Sequence, residues 1–249
     1  MIAALPMYDL PPMQAANDRY WSGIRDRLRG MGVAAPQTLA RGMDDLWGVW
    51  QDPGLVLAQT CGYPFRARLH GHVTLIGTPD FAVPGCAPGY YCSVFVVRRQ
   101  DARLDLPAFA GARFAYNEAL SQSGWAAPQT HAQGLGFHLT PALETGAHRR
   151  SALAVAQNRA DIAAIDVVTW RLLQRHDPKM AALRVLAQTD PTPGLPYITA
   201  AGADAPKFFT AIDGAIRDLS SDDRDVLGLR ALVAIPTAAY LAVPIPPAP

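Results

Sequence analysis

An α/β fold in two lobes, each a mixed sheet flanked by helices and joined by two hinge strands, is what the order of patterns along this chain predicts. Short apolar runs alternate with segments of helical period, the signature of a parallel or mixed sheet with covering helices. Two Pro/Gly-rich crossings, Thr78 to Gly89 and Thr189 to Pro196, bracket the middle third. The chain has 249 residues, 50% hydrophobic and 17% charged, enough for one large domain or two small ones. The outer segments then share a lobe, residues 1–85 with 190–249, and residues 86–189 form the other.

Ile2 to Leu5 is a short apolar run stopped by Pro6 and reads as a buried strand. Over Asn17 to Arg29, Tyr20, Trp21, Ile24 and Leu28 return at helical intervals. Leu46 to Trp50 reads as a short helix ended by Asp52-Pro53, and Leu55 to Gln59 as a strand with a turn at Thr60 to Pro64. His72 to Gly77 is a third run. Past the first crossing, Tyr90 to Arg98 is β-branched-rich. Arg113 to Tyr116 is a short strand, Ala147 to Asn158 a helix, and Ile162 to Val168 an apolar strand interrupted by Asp166, with Thr169 to Arg175 continuing as helix. Leu183 to Gln188 is a further strand. Helices at Lys207 to Leu219 and Asp222 to Leu227 precede a Pro-rich tail. No repeat of solenoid period is present.

Composition narrows the function classes. With 22 basic and 21 acidic residues the formal charge is +1, so no global field draws nucleic acid or an anionic membrane, and a charged ligand must be recognised locally. The 20 glycines and 22 prolines are scattered, which argues for many tight connections. Cys61, Cys86 and Cys92 are too few for a disulfide scaffold or a four-ligand zinc site; Cys86 and Cys92 are close enough to pair, but reduced thiols are the expectation. No run is long enough to span a bilayer. The N-terminus lacks a basic stretch and reaches Pro6 and Asp9 too soon for a signal core, so either a leader has been removed or the fold begins at once in the cytoplasm.

The strongest chemical feature is Ser121-Gln122-Ser123-Gly124-Trp125, between a strand and a short helix. Hydroxyls and a glycine at such a turn let backbone N–H groups and Ser Oγ atoms converge on an anion. Plain N-capping by Ser121 or Ser123 is the competing reading. His148 follows Gly146-Ala147 at a helix start, where it serves either a ligand or the surface. Asp166 faces a ligand or caps the next helix. Tyr8 and the Thr60-Cys61-Gly62 turn sit at carboxyl ends of strands, and Tyr90 and Tyr91 lie in the crossing. Enzyme readings are weaker: Ser123, His148 and Asp166 hold triad ingredients without a Gly-x-Ser-x-Gly elbow, and a thiolate pair of Cys61 with His70 or His72 is outweighed by an inert buried Cys. No Walker A loop or dinucleotide fingerprint is present.

Tyr116 to Trp125, Gly146 to Val155 and Arg159 to Asp166 resemble, in order and spacing, the phosphate/phosphite/phosphonate substrate-binding proteins of ABC transporters. The resemblance covers most of the chain and implies a type 2 periplasmic-binding-protein fold. It implies an anion turn at Ser121, Gln122 and Ser123, with Gln replacing a central hydroxyl, and a ligand-binding histidine and acid at His148 and Asp166. Tyr8 and Tyr91 match the aromatics facing the ligand. The implied function is capture of a small phosphonate, phosphite or phosphate in an interlobe cleft, on the Ser121 to Trp125 helix start including Gly124, with His148 donating and Tyr8 and the Thr60-Cys61 turn closing over it. Asp166 would accept from a protonated oxygen or a ligand ammonium. The implied partner is an ABC permease, the state a monomer and the location periplasmic, with no cofactor, metal, nucleic acid or catalytic step. A small aromatic or pyrimidine-like ligand stacked on Tyr8, Trp125 and Tyr91 is the alternative, and an enzyme using Ser123 or Cys61 a further one.

Overall fold

A computed structural model describes residues 1–249. The chain divides into two compact units, residues 1–84 with 193–241, and residues 85–192 with 242–249. It begins in the first unit with β1 (Ile2–Ala4), α1 (Gln14–Gly30), α2 (Leu46–Trp50), β2 (Leu55–Gln59), α3 (Gly62–Pro64) and β3 (Val73–Asp80). In the second it forms β4 (Tyr90–Tyr91), β5 (Ser93–Arg98), β6 (Arg113–Tyr116), α4 (Ala127–Gly134), β7 (Thr140–Glu144), α5 (His148–Ala156), β8 (Ile162–Asp166), α6 (Val167–His176) and β9 (Leu183–Gln188). After β10 (Thr192–Pro193) come β11 (Tyr197–Ala200), α7 (Ala205–Arg217), α8 (Ser221–Leu227), β12 (Ala231–Val233) and α9 (Thr237–Leu241), all in the first unit.

The first unit is built on a five-stranded sheet of order β1-β2-β11-β3-β12. β1 runs parallel to β2, whereas β11 lies antiparallel between β2 and β3, so the sheet is mixed. All of β2 is buried, which is why it reads as a continuous apolar run without alternation. Helix α1 forms because Tyr20, Trp21, Ile24 and Leu28 make one apolar stripe, which packs against the stripe of Phe208, Ala211, Ile212 and Ala215 on α7. Strand β3 continues through Pro79, beyond the expected end at Gly77. β11 pairs only with Val73 to Gly77 and β12 with Thr78 to Asp80, so Pro79 has a single neighbouring strand and its missing N–H breaks no ladder.

The second unit carries another mixed sheet, order β7-β6-β8-β5-β9. β8 lies at its centre, parallel to β6 and antiparallel to β5, with every residue buried. The strand expected over Ile162 to Val168 stops at Asp166, because the Thr169 N–H donates to Asp166 Oδ1 at 2.9 Å and helix α6 starts at Val167. Edge strand β7 has no alternation to announce it, and its Pro141 is tolerated at that edge.

The tail departs from the expected assignment of 190–249 to the first lobe. Residues 242–249 belong to the second unit, so the chain passes between units a third time, after Leu241. Trp125 Nε1 donates to the Pro247 carbonyl at 3.0 Å, and Pro246 to Pro249 line an apolar hollow of about 250 Å³ with Trp125 and His138. Before the tail, Tyr240 is fixed in the first unit by Thr78 Oγ1 at 2.5 Å and the Gly194 carbonyl at 3.1 Å.

Candidate functional site

Leaving β6, the chain turns at Asn117 to Leu120 and enters a helical segment at Ser121. Ser121 is extended (φ −78°, ψ 127°) and its Oγ accepts the Gly124 N–H at 2.9 Å, an N-cap. Its carbonyl then takes both the Trp125 N–H at 3.2 Å and the Ala126 N–H at 3.0 Å, so Gln122 to Ala126 form a widened π-turn that runs into α4. Pro128 lies just beyond and offers no N–H with which to tighten that turn. Ser121, Gln122 and Ser123 are all buried, at 2 to 3% exposure. The amides of a helix's first turn have no intrahelical acceptor, and here they sit beside two buried hydroxyls.

Gly124 is required by close approach. A Cβ there would overlap Asn117 Oδ1 and lie 3.2 Å from Ser121 Oγ. Asn117 Oδ1 is itself buried without a hydrogen bond.

His148 opens α5. Its Nε2 is 2.9 Å from Ser123 Oγ, which joins two segments far apart in the sequence. The residue is partly exposed, but its Nδ1 is fully buried and makes no hydrogen bond of normal geometry. Burial pushes the imidazole down to about 4, with weak opposing support from the Ala164 backbone. At neutral pH the ring is uncharged. Gly146, at φ +74°, and Thr145 set the approach to α5: Thr145 Oγ1 meets Ser151 Oγ at 2.7 Å and the Tyr116 carbonyl at 3.1 Å.

Other expected residues divide between the units. In the second, Tyr91 is buried at 3% exposure, and Gln122 Nε2 reaches Thr192 Oγ1 at 3.4 Å. Asp166 is buried and holds the α6 amide, the capping reading, opposite Ser93 in the β5–β8 ladder. The Trp125 ring packs on Tyr116 (centroids 5.0 Å) and Phe114 (6.2 Å), and its indole N–H holds the tail. In the first unit, Tyr8 meets Phe81 edge-on at 4.9 Å. Thr60 and Cys61 are buried at the start of α3, where the Thr60 N–H donates to the Pro196 carbonyl at 3.1 Å.

Each unit repeats one local construction. Thr60-Cys61-Gly62-Tyr63 after β2 and Gln122-Ser123-Gly124-Trp125 after β6 both place a glycine and an aromatic at a helix start that includes a π-turn, after α3 in the first unit and before α4 in the second. Sequence reasoning missed Asn117, Thr145 and Arg66. Arg66 is buried at 5% exposure with its guanidinium 4.4 Å above the Tyr63 ring, within the π-turn that follows α3, and a buried cation in that position carries no period or motif. No three His, Cys, Asp or Glu side chains converge as a metal site, and no helix is long and apolar enough to cross a membrane.

Residues 56–237 match the family described as ABC transporter, phosphonate, periplasmic substrate-binding protein, well over half of the chain. No curated protein matches. Among solved structures, PhnD1 of Prochlorococcus marinus, in complex with methylphosphonate, is 16% identical with a TM-score of 0.72, covering 96% of this chain and 94% of that one. XAC2383 of Xanthomonas citri bound to ATP is 14% identical, TM-score 0.71, covering 96% and 92%. A binding protein component of an ABC phosphonate transporter from Pseudomonas aeruginosa is 18% identical, TM-score 0.66, covering 94% and 81%. At these identities the likeness establishes the fold, that of the type 2 periplasmic binding proteins.

Proposed function

The chain belongs to the periplasmic substrate-binding proteins of phosphonate ABC transporters, and from that premise we propose that its second unit holds a small phosphonate, phosphite or phosphate on the Ser121–Ser123 helix start, as a monomer and without a catalytic step. The observation that carries this reading is the 2.9 Å bond between Ser123 Oγ and His148 Nε2 beside a capped helix start. With the neutral imidazole's proton on Nε2, the ring would donate to Ser123 Oγ and leave the Ser123 O–H to turn toward the anion. His148 is therefore a positioning residue here, in place of the direct donor the resemblance implied. Helix-start amides and hydroxyls supply the rest of the field, which suits a chain of formal charge +1.

Asp166 is read as a cap, which leaves no acid to orient the imidazole. With its pKa held near 4, His148 is a weak base, so the Ser123–His148 pair lacks the parts of a hydrolytic triad. The methylphosphonate in PhnD1 supports the ligand class.

A thermal-shift screen tests it. Methylphosphonate or phosphite at a hundredfold excess over Kd is expected to raise Tm by about 5–10 °C, while pyrimidines leave it unmoved. A shift from pyrimidines alone would overturn the oxyanion reading.

A further inference from the structure

Cys61 starts α3 in the first unit, whereas Cys86 and Cys92 both lie in the second, at the point where the chain enters it. The segment between them doubles back. The Tyr90 N–H donates to the Ala87 carbonyl at 2.9 Å, and Gly85 and Gly89 adopt φ of +81° and +76°, which lets the chain reverse within a few residues. The two thiols are consequently neighbours that interact with one another, and Cys92 Sγ also meets Gln188 Oε1 at 3.8 Å on β9. The charges of Arg171 and Asp166 are both felt at Cys92, and that of Arg171 at Cys86. Cys92 is buried at 4% exposure while Cys86 is accessible in part, an arrangement of one entry thiol and one resolving thiol.

We propose that Cys86 and Cys92 are a disulfide-forming pair, a redox modification site that clasps the segment leading into the second unit. The oxidant is a disulfide, either a protein oxidant or a small-molecule disulfide. The Cys86 thiolate attacks one of its sulfurs, forming a mixed disulfide and expelling the first thiolate. The Cys92 thiolate then attacks the Cys86 sulfur and expels the second. Two cysteine thiols are oxidised, one external disulfide is reduced to two thiols, and the two cysteine protons pass to the departing thiolates. Burial raises both thiols, Cys92 to about 12, and the Arg171 charge offsets this only in part, so both steps are slow and the second is the slower. The family's periplasmic setting is oxidising, where such pairs persist. Because Tyr91 lies between the two cysteines, the clasp also fixes a residue of the candidate ligand set.

The test uses the full-length chain. After incubation with oxidised glutathione and denaturation, maleimide is expected to label only Cys61 among the three cysteines, and a reductant to restore labelling of all three. Peptide mapping should return Cys86 and Cys92 in one reductant-sensitive species. The oxidised protein should melt about 5 °C or more above the reduced one, a difference absent in Cys86→Ser. Labelling of all three cysteines after oxidation, or a disulfide that uses Cys61 or a second chain, would overturn the proposal. Neither result depends on ligand binding, so the clasp and the oxyanion site stand or fall separately.

Discussion

Alanine in place of Gly124 is expected to weaken methylphosphonate binding by about tenfold or more and to lower stability by about 1–3 kcal/mol. The added Cβ would overlap Asn117 Oδ1 and crowd Ser121 Oγ at 3.2 Å. Asn117 has a short side chain whose oxygen is already buried, so it cannot swing clear as a lysine tip would. Relief requires moving the Ser121 cap, and with it the geometry of Ser123. Gly134→Ala, at the far end of α4 with open space where its Cβ would stand, serves as control and should cost nothing. Melting curves and calorimetric titrations of both variants check the contrast. A Gly124→Ala protein that melts and binds like wild type would show the turn to be loose.

The second large effect is on acid stability. His148 has a folded pKa of about 4 against 6.5 for the free side chain, so between those values the unfolded chain binds more protons than the folded one. Stability from this group is fully present above about pH 6.5 and falls as pH drops toward 4, by up to about 3 kcal/mol. Glu118, pushed upward by burial and the neighbouring Glu144 charge, works weakly in the opposite direction. Asp161 and Asp101 are held low by Arg113 and Arg103 and lose their contribution in more acid conditions. Subtracting the stability profile of His148→Gln from that of wild type isolates the histidine. The difference should slope between pH 6.5 and 4 and be flat above. A flat difference throughout would mean that the imidazole is solvated and not locked on Ser123.

Much of the frame was legible because burial leaves a periodic trace. The stripe Tyr20, Trp21, Ile24 and Leu28 marked α1, and the unbroken run Leu55 to Gln59 marked β2. The mixed sheets followed from alternation of runs and helices, and the Ser121 turn from hydroxyls and glycine at a helix start. Strand β7 and the short strands β11 and β12 carry too little pattern to be seen without their partners. The tail is a similar case: nothing local in Pro246 to Pro249 says that the Trp125 indole will hold the Pro247 carbonyl. Within the site, residue types were readable but directions were not. Ser121 and Asp166 both turned out to cap helices, whereas Ser123 and His148 meet side chain to side chain across a separation only the fold closes. Asn117 became significant through the contact it forbids at Gly124, which no sequence pattern encodes.

The central claim is that the Ser121–Ser123 helix start, with Ser123 oriented by His148, is where the oxyanion is held. Calorimetric titration of methylphosphonate into wild type and Ser123→Ala at neutral pH tests it most directly. Loss of one hydrogen bond to a charged oxygen predicts saturable binding in wild type and a weakening of about tenfold or more in the variant, with a Tm for the free protein only a few degrees lower because the His148 Nε2 loses its partner. Equal affinity in the two proteins would contradict it.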